Sequence, residues 1–219
     1  VAELSAEARA RVERWMVTVG DNNGRGVVVA GHCVLTAAHC VDHDIEFAVV
    51  MGDQVTNTVT TRDGTAFEMT PVFAETIADV AVLAEAEDTR AADLLATWCD
   101  QMEREGQPPP LSRIPFPLRE PVRVHVLDHE GNWTAATATR DADRPSGAVT
   151  VSFAGKVDAA SCGGPIVDDD GRIVGVIGWT TTDYDDPERS VGILPVLRLA
   201  LPIWLQRELY DQVAELPDG

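Results

Sequence analysis

Cys162 is the residue of this chain most plainly set up for covalent chemistry. It lies in Ala159-Ala160-Ser161-Cys162-Gly163-Gly164-Pro165, where two glycines and a proline predict a tightly turned backbone with little side-chain bulk nearby. Apolar Ile166-Val167 follows, then an acidic turn at Asp168-Asp169-Asp170-Gly171, then Ile173-Val174-Gly175-Val176-Ile177; together they predict a β-hairpin. A thiol at the head of such a loop points into the space the loop encloses, beside backbone donors. That is how a nucleophile is presented. Two other runs carry groups able to serve it. Leu35-Thr36-Ala37-Ala38-His39-Cys40-Val41 holds an imidazole. Thr76-Ile77-Ala78-Asp79-Val80-Ala81-Val82-Leu83 sets a carboxylate in an apolar run, where burial is costly unless it is hydrogen-bonded.

These three runs resemble the signature segments of the chymotrypsin/trypsin-like peptidases. The loop is similar to the family's Gly-Asp-Ser-Gly-Gly-Pro, with Cys162 where serine usually stands, a swap known from the picornavirus-type cysteine proteases. Leu-Thr-Ala-Ala-His-Cys is the most specific match, reproducing the motif that carries the general base. The segment at Asp79 is similar to Asp-Ile-Ala-Leu-Leu, whose aspartate bonds the imidazole. His39, Asp79 and Cys162 follow in the family's order, 40 and 83 residues apart. The resemblance spans about residues 15–216. It implies an all-β chain: two six-stranded β-barrels of the trypsin-like fold, with a C-terminal helix and an inserted helix.

The implied chemistry is peptide-bond hydrolysis through an acyl-enzyme. Cys162 would attack, His39 would act as general base and acid, and Asp79 would orient the imidazole. The N–H groups of Cys162 and Ala160 would form the oxyanion hole. Two positions depart from the family pattern: Ala160 replaces its glycine, and Ser161 replaces the aspartate that pairs with a newly cut N-terminus in trypsin-like zymogens. Activation by an inserted N-terminus is therefore not expected, and regulation would fall to a flanking domain or partner. Ile177-Gly178-Trp179-Thr180 is similar to Val-Ser-Trp-Gly, the strand along which substrate pairs, which implicates Gly178, Trp179 and Thr180. Val191 and Gly192 would form the opposite pocket wall. Lys156, six residues before Cys162, falls at the family's pocket floor, or else is exposed in a hairpin loop.

Composition narrows the setting. A 219-residue chain with 45% hydrophobic residues fits one domain of two-barrel size or two small domains. The net charge of −19 argues against nucleic-acid and anionic-membrane partners. A polypeptide is the expected substrate. No run is long enough for a transmembrane helix, no charged-then-apolar leader is present, and the start at Val1 reads as a processed chain or an excised domain. If Cys162 is the nucleophile, Cys33, Cys40 and Cys99 form an odd remainder, which favours reduced thiols and a cytoplasmic location. The family's bridging partner for Cys40 is missing. His39/His43 and His125/His129 are each four apart, but neither pair has zinc-type company, so no metal or other cofactor is expected.

The elements that must position these groups read as follows. Residues 1–14 form an N-terminal helical segment, helix 5–14 being capped by Ser5. Residues 15–87 form the first barrel, with strands at 15–19, 26–30, 33–36, 47–50, 56–60 and 68–72. Residues 88–120 join the barrels through an inserted helix at 88–98, stopped by Gly106-Gln107-Pro108. Residues 121–219 form the second barrel, with strands at 121–127, 133–139 and 148–153, and a helix at 200–216 that would pack on it. Two rivals to the cysteine peptidase stand: a catalytically silent homologue that binds peptides, and a serine peptidase carrying an engineered Ser-to-Cys change.

Overall fold

The computed structural model describes residues 3–21, 23–42, 49–51, 55–85, 89–112, 120–128, 131–140, 149–154, 161–178, 180–182, 189–195 and 197–211. Helix α1 (Ala6–Arg14) starts where the sequence predicts, with the Ser5 hydroxyl accepting the Ala8 N–H at 3.1 Å. Its buried Ala8 and Val12 are four apart, one face of a helix.

Seven strands make the first barrel: β1 (Met16–Val19), β2 (Gly24–Val29), β3 (Cys33–Thr36), β4 (Val49–Met51), β5 (Asn57–Thr61), β6 (Ala66–Glu75) and β7 (Val80–Glu85). Antiparallel pairing runs β6-β5-β1-β2-β3-β7, and a β6–β7 pairing closes the ring on six strands. The short β4 adds to β6 outside that ring. Strand β6 is longer than the predicted 68–72 because it turns a barrel corner. Its register shifts between Pro71 and Phe73, where proline offers no N–H to the ladder. Its first half pairs with β5 and its second with β4 and β7.

Strands β8 (Val122–Leu127), β9 (Trp133–Arg140), β10 (Val149–Ala154), β11 (Pro165–Val167), β12 (Ile173–Val176), β13 (Thr180–Thr182) and β14 (Arg189–Leu194) form the second sheet, in the order β12-β11-β8-β9-β10-β14-β13. Among the described residues this is a curled half-barrel rather than a closed six-stranded ring. The acidic turn between β11 and β12 is internally bonded: Asp168 accepts the N–H groups of Asp170 and Arg172, at 3.0 and 2.9 Å. Asp169 turns outward to Arg123 and to His125, whose Nε2 lies 2.8 Å away.

Helix α2 (Thr89–Glu103) runs past the predicted end at 98 and stops before Gly106, whose φ is 149°. The longer helix carries Trp98 and Cys99 into the first core. Trp98 meets Trp15 edge-on at 5.5 Å and tilts against Phe67 at 5.8 Å. The C-terminal helical region is split by Pro202 into α3 (Leu197–Ala200) and α4 (Ile203–Asp211). Leu197, Leu201, Leu205 and Leu209 are buried in the larger core cluster, which is built mostly of first-barrel residues together with Val167, Ile173 and Val176. Helix α4 thus packs beside the 3₁₀ turn Ala30–His32, where the sequence reading had placed it on the second barrel. Removing the aromatic wedge should loosen this whole side: Trp98→Ala is expected to cost about 3 kcal/mol. Chemical denaturation would measure it, and an unchanged midpoint would mean that α2 is dispensable to the core.

Candidate active site

His39 sits in a 3₁₀ turn (Ala38–Cys40) directly after β3, and Asp79 sits at the mouth of β7. Strands β3 and β7 are paired, Thr36 opposite Ala81, so two runs distant in sequence arrive side by side. His39 Nδ1 lies 2.9 and 2.8 Å from the two carboxylate oxygens of Asp79, and the His39 backbone N–H donates to Oδ1 at 3.1 Å. Asp79 is 2% exposed, whereas the imidazole keeps 35% of its surface. The Asp79 hydrogen bond pushes the His39 pKa up to about 12, the thiols of Cys162 and Cys40 add to it, and burial opposes it. The ring is therefore held as an imidazolium through neutral pH, with both sulfurs beside it.

Asp79 has φ 57°, a left-handed conformation that aspartate tolerates better than most residues. It closes a turn that follows Glu75, whose carboxylate oxygens each accept one N–H, from Ile77 and Ala78, both at 2.8 Å.

The loop bearing Cys162 is fixed from the opposite barrel. The Arg25 N–H on β2 donates to the Cys162 carbonyl at 2.8 Å. The Arg25 carbonyl accepts the buried Thr36 hydroxyl at 2.6 Å, and its guanidinium donates to the carbonyls of Leu127 and Asp128, at 3.1 and 2.8 Å. Within the loop, the Gly163 N–H bonds to the Ile177 carbonyl at 2.7 Å. Cys162 is 5% exposed, and its thiol points at the Gly178 carbonyl, 3.7 Å away. It shares a small cluster with Ala37 and Cys40.

None of the four cysteines is in a disulfide. Gly24, on β2, lies against Cys40: a Cβ there would meet its Sγ at 2.7 Å.

The structure thus brings together His39, Asp79, Cys162 and Gly178. Thr180 and Gly192 stand opposite each other in the β13–β14 ladder, and Val191 pairs with Thr181, so these pocket candidates share one strand pair. Lys156, Ala160 and Trp179 lie outside the described residues. Among the described residues no three metal-ligating side chains cluster. His125 is engaged with Asp169, and His43 and His129 lie outside the described residues. Sequence reasoning missed Arg25 and Glu75. A single charged residue in or beside a strand carries no signal of the backbone groups it will reach.

Gly163 has φ 78°, and a Cβ there would come within 2.0 Å of the Arg25 carbonyl and 2.5 Å of the Thr36 hydroxyl. Gly64 has φ 88° with nothing near, so Gly64→Ala isolates the cost of conformation alone. That cost should be about 1–2 kcal/mol. Gly163→Ala should exceed it clearly and misplace Cys162; equal losses in urea unfolding would show that the close contact is not limiting.

Comparison with known proteins bears on the family and the fold. Residues 24–176 match the model of the trypsin-like peptidase domain family. No curated protein sequence matches significantly. Among solved structures, the active form of the Rv3671c protease from M. tuberculosis is 21% identical, with TM-score 0.57, the match covering 99% of this chain and 88% of that one. Its inactive form aligns with TM-score 0.56 at 21% identity, over 91% and 95% of the two chains. A human pathogenic astrovirus serine protease aligns with TM-score 0.50 at 17% identity, over 83% and 90%. By the family match and by its double-barrel fold, the chain belongs to the trypsin-like peptidase domain family.

Proposed function

We propose that this chain is an endopeptidase whose nucleophile is the Cys162 thiolate. The observation that carries the reading is the His39 ring, held by the buried Asp79 through Nδ1, with the Cys162 thiol near enough to raise its pKa. An imidazolium beside the sulfur favours the thiolate electrostatically. The thiolate adds to the scissile carbonyl, and the carbonyl oxygen takes the negative charge. His39 then gives its proton to the leaving amine as the C–N bond breaks, leaving a thioester on Cys162. Neutral His39 next takes a proton from water as the water oxygen attacks the thioester. The C–S bond breaks, the acyl portion leaves as the acid, and the thiolate–imidazolium pair is restored. Asp79 holds the ring in place and balances the imidazolium throughout. A reducing, cytoplasmic setting belongs to the same proposal, resting on the odd number of cysteines left once Cys162 is the nucleophile.

The 5% exposure of Cys162 favours a second reading, a homologue that binds peptides without turnover. Iodoacetamide separates the two. In an enzyme, Cys162 alkylates much faster than Cys33, Cys40 or Cys99, and Cys162→Ala abolishes cleavage of a peptide library while the fold survives. Slow alkylation with no cleavage would leave the binding reading; cleavage surviving in Cys162→Ala would remove the thiol from the mechanism.

The raised His39 pKa also fixes the sign of a pH effect. The unfolded ring titrates near pH 6.5 and the folded one at about 12. The stability it contributes is full below the unfolded value, declines as pH rises between the two, and is lost above the folded value. Stability measured from pH 7 upward should therefore fall with pH, and Asp79→Asn should flatten that slope. Parallel slopes in the two proteins would show that the pair does not hold the proton.

A further inference from the structure

We propose that Glu75 is a positioning residue for the His39–Asp79 pair: its carboxylate closes the 76–79 turn and so sets the backbone from which Asp79 reaches His39. This rests on the peptidase reading above and extends it outward by one shell. Glu75 ends β6 and Val80 opens β7, and the two are paired across the ladder. The chain must therefore reverse in four residues and deliver Asp79 pointing at the imidazole. Apolar packing gives that turn little help, because the Ile77 side chain is 92% exposed and Ala78 is only partly buried. Polar closure does the work instead. Oε1 accepts the Ile77 N–H and Oε2 the Ala78 N–H, each at 2.8 Å, so one carboxylate satisfies two successive donors.

The residue next in line is Asp79, at φ 57°. Aspartate tolerates that conformation better than most residues, yet it still costs energy that the surrounding bonds must offset. From there its carboxylate meets both the Nδ1 and the backbone N–H of His39. An extended backbone at Asp79 would aim the side chain elsewhere. Glu75 touches neither His39 nor Cys162 among the bonds described, so its effect passes entirely through the turn.

The test uses the full chain with Glu75→Ala, Glu75→Gln and Asp79→Asn. The readouts are NMR titration of the His39 ring and hydrolysis of fluorescein-labelled casein. The groups facing the ring are Asp79, Cys162 and Cys40, and none of them is altered in the Glu75 variants. In the wild type the ring should stay protonated from about pH 5 to 8, and in Glu75→Ala it should titrate within that range. The same change should lower kcat about 100-fold with KM little altered, the scale of a misplaced catalytic group. Asp79→Asn should lose more, about 10,000-fold. Glu75→Gln retains one acceptor and should fall between wild type and Glu75→Ala on both readouts. Should Glu75→Ala fail to fold, the His39 titration in Glu75→Gln decides the matter. A His39 titration identical to wild type in a folded Glu75 variant overturns the proposal. If no protein cleaves casein, the peptidase reading is what suffers, and the titration still decides the role of Glu75.

Discussion

A carboxylate buried to the extent of Asp79 has given up its water, so protein donors must meet its charge. His39 supplies two of them, the ring and its own backbone N–H. Both can point at one carboxylate because the chain leaves β3 as a 3₁₀ turn and not as a longer strand. That turn is placed by the β3–β7 ladder, and the ladder exists because β6 closes the ring of strands. The first barrel can therefore be read as a frame that brings two distant loops to one buried charge. The imidazolium follows, since a ring bound to an unhydrated carboxylate gives up its proton reluctantly.

The thiol belongs to the other half of the molecule, and at the nucleophile loop the two halves meet through Arg25. Its N–H reaches the Cys162 carbonyl and its guanidinium the hairpin after β8, while its own carbonyl accepts the Thr36 hydroxyl within the first barrel. Gly163 lets the two backbones approach this closely, because any side chain there would occupy the Arg25 carbonyl. The glycine pair after Cys162 is thus a packing requirement as much as a turn signal.

Much of this was legible in the sequence, and for definite reasons. His39, Asp79 and Cys162 lie in runs of several residues that resemble the family's signature segments, and the same resemblance implied the two barrels. Helix α1 was legible from Ser5 and the helix-forming residues that follow it. What stayed hidden depends on distant partners. Glu75 and Arg25 act on backbone groups that no side-chain pattern marks. The resting place of Leu197, Leu201, Leu205 and Leu209 could not be read from a periodic face, which reports burial but not the surface that covers it. The length of β6 was hidden because its two halves pair with different strands across a register shift.

Helix α1 has a consequence of a mechanical kind. Arg11 donates to the Asp170 carbonyl in the β11–β12 turn, Glu13 accepts the Trp133 indole, and Arg14 donates to the Glu105 carbonyl just past α2. Ala8 lies against Gly171 so closely that no side chain would fit between them. One short rod is thus riveted to the first core, the linker helix and the hairpin that continues from Cys162. A displacement of this rod would load the β11–β12 turn, and with it the strand that leaves the nucleophile loop, together with α2 and β9.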